Sequence, residues 1–370
     1  MTFLIAVFLR LGVTAFGGPA AHVSLMEDEF VSRRRWLSRE EFLDLLGATN
    51  LIPGPNSTEM AIHIGYRRAG WRGFLIGGVC FILPAALIVT LLSWVYVRYG
   101  SLPQAAGLLS GIKPVIMIVI FQALWRMGRA AMKTRALLAV AIGCALLNAA
   151  GVHELAVLMA AGITAVFIVR LPSRTAAALA LPLGFPYAAV SLSATAAPFS
   201  MAALFLFFMK VGSVLFGGGY VLLAFLRADL VDRWRWLTEA QLLDAIAVGQ
   251  VTPGPLFTSA TFVGYLLAGP WGAAVATIGI FLPAFVFVAL SIPLLPRLRT
   301  SPTFAAALDG INAGSLALMA VVSWRLGATS LTNWPSLLIA CIAAVLLLGY
   351  RVNTTWLVLG GAAIGLLFLR

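Results

Sequence analysis

The chain has 370 residues, 61% of them hydrophobic and only 10% charged, with a mean hydropathy of +1.00. A water-soluble domain carries about a quarter of its residues as charges, so a soluble globule is excluded and an integral membrane protein is expected. The net charge of +12 would suggest nucleic acid in a soluble protein, but here the basic residues cluster in short loops between apolar runs and no aromatic-basic platform accompanies them, which points to membrane topology instead.

The first apolar run carries Arg10 and has no basic leader, so it is read as a retained helix rather than a signal peptide. It ends at Phe16-Gly17-Gly18-Pro19, where the glycines either present backbone amides or let helices approach closely. His22 follows that break and can donate to an anion. The stretch 27–41 mixes both charge signs with Trp36 and reads as an interfacial amphipathic segment, and Arg33 to Arg35 leave open a role in drawing anions inward. Residues 41–52 and 56–66 make only about two or three helical turns each, too few to cross a bilayer, and Pro53-Gly54-Pro55 separates them. A re-entrant hairpin with that tripeptide at its tip is expected.

Runs over 73–97, 105–125 and 270–290 are long enough to span, whereas 135–150 and 153–170 are either two tilted spans or another hairpin. Lys113, just before Pro114, is a further cation inside an apolar run. The cysteines Cys80, Cys144 and Cys341 lie apart in apolar surroundings and read as buried small hydrophobes rather than disulfides or ligands.

Residues 171–200, rich in Ala, Pro and Ser, read as a connector, because the chain then repeats itself. "FLRLGVTAFGGP" from Phe8 lies over "FMKVGSVLFGGG" from Phe208, Asp44 over Asp244, and Pro53-Gly54-Pro55 over Pro253-Gly254-Pro255. After a one-residue deletion, Leu83-Pro84 falls on Leu282-Pro283 and "WRMG" at 125 on "WRLG" at 324. The homologous halves are 1–170 and 201–370. The first half's loops carry Arg67, Arg68 and Arg72, then Arg126, Arg129, Lys133 and Arg135, while the equivalent second-half loops are nearly bare of basic residues. If basic loops stay cytoplasmic, equivalent loops face opposite sides. The expected fold class is therefore an all-α integral membrane protein of two inverted-topology repeats, with re-entrant or broken helices at the PGP motifs.

A helix that restarts after a PGP break points unpaired amides and the positive end of its dipole at the break, a binding site for anions. Asn56, Ser57 and Thr58 beside Gly54 add side-chain donors, as do Thr258 and Ser259 beside Gly254. A tight turn with hydroxyl N-caps is the plainer alternative for one copy; two copies at membrane depth favour a pocket for one small oxyanion. Arg10 and Lys210 stand at equivalent positions, and cations inside membrane helices would balance a dianion, although Arg10 can also snorkel towards head groups. With the glycines of the breaks, Gly17, Gly18, Gly217 and Gly218, these residues and His22 form the candidate substrate-binding set. Glu59 and His63 share one helix face and are the candidate proton-coupling groups, Glu59 otherwise pairing with Arg67 or Arg68. No catalytic or metal motif is present, so neither enzyme activity nor a cofactor is expected.

"FLRLGVTAFGGPAAH", "LLGATNLIPGPNSTEMAIHIGYRRAGWRG", "KVGSVLFGGGYV" and "GQVTPGPLFTSATFVGY" together resemble the chromate transporter family in its long two-domain form. The resemblance covers nearly the whole chain, except that the basic amphipathic lead such proteins often carry does not precede the first helix. It implies a multi-pass protein of the bacterial inner membrane that exports chromate, a sulfate-like tetrahedral dianion, and the family motifs fall on Phe16 to Pro19, Pro53 to Asn56, Gly217 to Gly219 and Pro253 to Pro255. Proton coupling is expected. A passive oxyanion channel and, at greater distance, a membrane-embedded enzyme acting on phosphorylated lipid are the alternatives. The expected partners are the oxyanion, the lipid bilayer and, as an open alternative, a second copy of the chain; nucleic acid is not among them.

Overall fold

A computed structural model describes residues 1–16, 18–100, 102–170, 198–216, 219–299, 301–350 and 352–368. Most of the expected connector, 171–197, lies outside the described residues. Among the described residues every regular element is helical, as lipid requires of a chain that is not a closed barrel. The first half runs α1 (Thr2–Thr14), α2 (Gly18–Glu27), α3 (Arg39–Thr49), α4 (Asn56–Tyr99), α5 (Pro103–Ala131), α6 (Arg135–Ala149) and α7 (Glu154–Arg170). The second runs α8 (Met201–Val214), a short α9 (Leu222–Phe225), α10 (Glu239–Val251), α11 (Ser259–Arg299), α12 (Pro302–Ser330), α13 (Trp334–Ala344) and α14 (Thr354–Phe368). Both α2 and α9 continue into π-helical turns, at Asp28–Arg33 and Leu226–Arg233.

The two halves use the same local devices. α3 starts from a capping box in which Ser38 Oγ accepts from the Glu41 amide at 3.1 Å and Glu41 Oε2 accepts from the Ser38 amide at 2.8 Å. Thr238 and Gln241 do the same for α10. Each box follows an arginine in the left-handed region, Arg35 at φ 52° and Arg235 at φ 56°.

Taken as one rod, the 44-residue α4 would be about 66 Å long, twice the hydrocarbon thickness of a bilayer. It is instead folded back on itself. The backbone leaves helical geometry at Ala69 and Gly70 (φ 58°, ψ −147°), and the limbs 56–68 and 71–99 lie side by side. A Cβ on Gly73 would stand 1.9 Å from the Gly65 carbonyl oxygen, and one on Gly77 2.4 Å from that of Ala61. α11 reverses identically at Ala268 and Gly269, with Gly264 against Gly272. Small residues are what lipid-embedded helices use to approach this closely.

The first helix of each half crosses the long limb of the same half through a glycine, Gly12 against the Phe81 carbonyl and Gly212 against that of Ile280. The later helices are exchanged. α5 packs on α14 through Gly111, Gly361 and Gly365, while α12 packs on α7 through Gly310 and Ala161. Among the described residues, four helices are long and apolar enough to cross a membrane, over Asn56–Tyr99, Gly107–Ala131, Leu256–Pro293 and Pro302–Ser330. They cover the three spans expected from the sequence except residues 105 and 106. Trp71 and Trp271 at the reversals, and the equivalent Trp125 and Trp324, are exposed where an aromatic belt would meet head groups. The cysteines are free, but only Cys144 is buried. Cys341 is exposed on α13, so its expected burial is corrected: it shares an apolar face with Leu338, Ile342 and Val345 that the described residues leave uncovered.

Replacing Gly73 by Leu should break the α4 hairpin, since the new side chain meets backbone and no rotamer relieves it. The expected outcome in detergent is loss of the monodisperse peak or a fall in Tm of several degrees, from at least about 1–3 kcal/mol of overpacking. Gly143→Leu, with nothing within 4 Å of its Cβ, should leave both unchanged.

Candidate functional site

Each half presents two broken-helix tips. α1 stops at Thr14, and α2 with its π-turn folds back along it, bringing Phe30 to 5.4 Å from Phe8 and Trp36 to 6.3 Å from Phe3. The second half repeats this, with Trp234 5.4 Å from Phe207. α3 and the first limb of α4 make the other hairpin, joined at Pro53-Gly54-Pro55, and Arg67 returns to within 3.8 Å of Glu41 at its open end.

The tips of one half are completed by the other. The Gly54 amide donates to the Leu215 carbonyl at 2.8 Å, and the Gly254 amide donates to the Ala15 carbonyl, also at 2.8 Å. Ala15 and Leu215 are the residues that end α1 and α8, where a helix has carbonyls without intrahelical partners. Gly54 (φ 139°) and Gly254 (φ 91°) occupy backbone conformations that L side chains avoid. A Cβ on Gly254 would stand 2.5 Å from that of Ala85, and one on Gly54 2.2 Å from Glu59 Oε1.

Past the tips, the Thr58 and Glu59 amides donate to the Pro55 carbonyl at 2.7 and 3.1 Å, and the Thr258 amide to Pro255 at 3.0 Å. The second copy begins with a 3-10 turn, Leu256–Thr258, before α11, so the two helix starts are not identical. Thr258 Oγ1 is turned back onto the Pro255 carbonyl at 2.9 Å. Ser57, Thr58, Glu59, Thr258, Ser259, His22 and His63 are all buried. Asn56 is half-buried and donates to Asn50 Oδ1 at 2.6 Å across the hairpin.

Several of these buried groups are without hydrogen bonds among the described residues: Thr58 Oγ1, both Glu59 carboxyl oxygens and both His22 ring nitrogens. His22 lies near the Ala15 backbone without reaching hydrogen-bond geometry. Glu59 pairs with neither Arg67, which takes Glu41, nor Arg68, whose guanidinium sits 5.1 Å over the Trp36 ring. His63 Nε2 is 3.3 Å from Ser291 Oγ, a contact between the halves. Orphaned polar atoms at this density call for a ligand or water.

The two predicted cations do not converge here. Arg10 is exposed, whereas Lys210 is bound to Asp229, which also holds Arg233. Arg233 reaches Glu154 of the first half at 2.8 Å. His153, Glu154 and Asp229 lie close enough together for a metal, but Lys210 and Arg233 already occupy the carboxylates. A cavity of about 200 Å³ opens beside this network, lined by Asn148, Glu154, Arg227, Arg233 and Arg325, and it includes none of the tip residues. Gly18 opens α2 at φ 80°; Gly17, Gly217 and Gly218 lie outside the described residues. Lys113 carries a signal the sequence could not complete. Its Nζ is 3.2 Å from Asp244 Oδ1, an ion pair whose angle falls short of a hydrogen bond, and Tyr96 donates to Asp244 Oδ2 at 2.8 Å.

The family model described as Chromate transporter matches this chain twice, over residues 2–166 and 202–366. The chain belongs to the chromate transporter family. The chromate transport protein of Pseudomonas aeruginosa is 34% identical over 347 residues, covering 90% of this chain and 83% of its own length. That of Cupriavidus metallidurans is 31% identical over 374 residues, covering 98% and 92%. The probable chromate transport protein of Synechococcus elongatus is 30% identical over 350 residues, covering 91% and 87%. No solved structure matches the chain. Two copies of the family's unit and the apolar helices make this chromate transporter family member a multi-pass membrane protein.

Gly254→Ala should destabilise the protein through the left-handed backbone, about 1–2 kcal/mol, and through the clash with Ala85. Thermal unfolding in detergent should show a lower Tm for Gly254→Ala and for Gly54→Ala, and none for Gly360→Ala, whose Cβ meets nothing.

Proposed function

We propose that this protein is a proton-coupled secondary transporter that exports chromate across the bacterial inner membrane, with its halves inverted around a shared midplane site. The observation that carries the reading is the set of buried, unpartnered polar atoms of His22, Thr58 and Glu59 beside broken-helix tips. A tetrahedral dianion supplies acceptors to Thr58, His22 and the first amides of α4. It repels a charged Glu59, so Glu59 is protonated while the anion is bound and gives up its proton after release. His63 lies one turn further along the same helix and relays towards Ser291. Lys210 and Arg10 act at the approaches.

Reciprocal contacts support the inversion. Phe74 and His63, near the first reversal, meet Phe285 and Ser291, late in the second long limb. Tyr96, late in the first long limb, meets Phe262, ahead of the second reversal. Limbs that run antiparallel make such swapped pairs. The basic loops of the first half give the same orientation. The tips then lie within the membrane as re-entrant hairpins, permitted there because their polar backbone is buried in protein. Chromate as cargo comes from the relatives named as chromate transport proteins, whose names favour transport over catalysis. No observation favours a passive channel or a lipid-phosphate enzyme.

In inside-out vesicles, labelled chromate uptake should saturate, accelerate when the outer medium, which bathes the cytoplasmic face, is made acidic relative to the lumen, and be inhibited by sulfate. Glu59→Gln should remove the acceleration, lowering gradient-driven uptake about tenfold or more, while downhill chromate exchange persists. Uptake that followed voltage alone would overturn the reading.

A further inference from the structure

The Lys113, Asp244 and Tyr96 cluster lies outside the tip site and joins three elements from two halves. Asp244 is on α10, the hairpin limb leading to the second PGP tip; Tyr96 and Lys113 belong to α4 and α5 of the first half. The Asp244 side chain is 4% exposed and that of Lys113 23%. Its setting is apolar, with Tyr96 packed edge-on against Phe262 at 5.1 Å. An ion pair buried in this way gives up the hydration of both partners and is weak as a stabilising device, so a membrane protein that keeps one is using it.

The repeat sharpens the point. Asp44 stands where the second half has Asp244, but the position equivalent to Lys113 is Asn312, whose side-chain oxygen is buried without a hydrogen bond. Only one copy has the cation, and it is placed on an element of the opposite half from the carboxylate that neutralises it.

We infer that Lys113 is an oxyanion-binding cation held in reserve by Asp244, and that a proton arriving on Asp244 releases it to the anion. With the pair intact, Lys113 is neutralised and α10 is tied to α4 and α5. A proton from the aqueous side converts the Asp244 carboxylate to the neutral acid. Tyr96 remains its hydrogen-bond donor, and the lysine, still protonated, is free to pair with a dianion. Loss of that proton restores the pair and expels the anion. Few other groups compete for this role. Arg227, on the π-turn packed against α10, is held by Glu239 at 3.3 Å and by Asp232. α14 and residues 256–258 carry no ionisable side chain, α11 carries only Tyr265 between 259 and 293, and Arg98 and Tyr99 after Tyr96 are exposed.

This inference rests on the oxyanion-transport reading, and the test separates the two. Chromate binding to the purified full chain is measured by calorimetry across the neutral-to-alkaline range in which chromate stays a dianion. Wild type should bind more tightly as pH falls, by up to about tenfold per pH unit for each of the two linked protons, on Glu59 and Asp244. Asp244→Asn should bind more tightly than wild type at the alkaline end and keep only the shallower pH dependence linked to Glu59. Lys113→Asn, which copies the other half, should bind at least about tenfold more weakly and also keep only the Glu59-linked pH dependence. The double variant Lys113→Asn/Asp244→Asn leaves no buried charge unpaired, so it should fold and bind as weakly as Lys113→Asn. A purely structural pair would leave the Asp244→Asn pH profile and the double variant's affinity at wild-type values, and that result overturns the inference. pH dependence wholly lost in Glu59→Gln and undiminished in Asp244→Asn also overturns it while leaving the transport reading intact. Absence of any chromate binding by wild type would overturn both.

Discussion

The structure depends on a pair of backbone hydrogen bonds, from the Gly54 amide to the Leu215 carbonyl and from the Gly254 amide to the Ala15 carbonyl. Ala15 and Leu215, where α1 and α8 end, are buried, and a helix carbonyl that no water can reach costs several kcal/mol unless paired. α1 and α8 stop after about four turns. Among the described residues, the Gly54 and Gly254 tips carry each half's donor for the broken end of the other. The two copies are thus complementary: one repeat by itself has a tip with no socket and a socket with no tip. The prolines on both sides of each glycine hold the tip open, removing amides that would otherwise continue the helix. The glycine between them supplies the one amide that is needed.

Packing follows from the same solvent. Lipid tails are as apolar as leucine, so burying leucine against leucine does little to bring helices together. Close approach of backbones does more. Gly65 on Gly73, Gly12 on the Phe81 carbonyl, Gly111 on Gly361 and Gly310 on Ala161 are contacts in which a single Cβ would collide with main chain. They recur at equivalent places in both halves. The exchange of late helices, α14 onto α5 and α7 onto α12, then ties the halves at a second level, remote from the tips.

Much of this was written in the sequence. The repeat offset, the short limbs beside each PGP and the bare second-half loops all follow from residue identity and spacing. The reversal inside α4 was partly visible, since 56–66 was too short to span and 73–97 was long enough, and Ala69-Gly70 lies between them. What stayed hidden was partnership between halves. Nothing about Lys113 in the sequence points to Asp244, and nothing about Gly54 points to Leu215, because those contacts depend on how two copies dock. The pairing of Lys210 with Asp229 escaped for a different reason: the partner is 19 residues away across a turn, where the chain folds back on itself. The expectation that Arg10 and Lys210 act as equals treated the repeat as symmetric, although Lys210 sits in a five-residue charge network and Arg10 lies exposed.

That asymmetry is itself informative. Backbone features are duplicated: tips, capping boxes, left-handed arginines and glycine contacts. Three ionisable side chains are not, since Glu59 has Ser259 near its place in the repeat, His63 has Phe262 and Lys113 has Asn312, although Asp244 keeps a counterpart in Asp44. A symmetric scaffold has two conformations of equal energy when its halves exchange roles, which suits alternation between two faces but gives it no direction. Direction requires groups whose charge differs between the faces. In the cycle proposed above, placing Glu59, His63 and Lys113 in one copy only leaves the alternation intact while letting a proton weight one conformation over the other. In a duplicated transporter, the positions where the repeat breaks down are therefore the ones to search for coupling, and the positions where it holds are the ones that build the hinge.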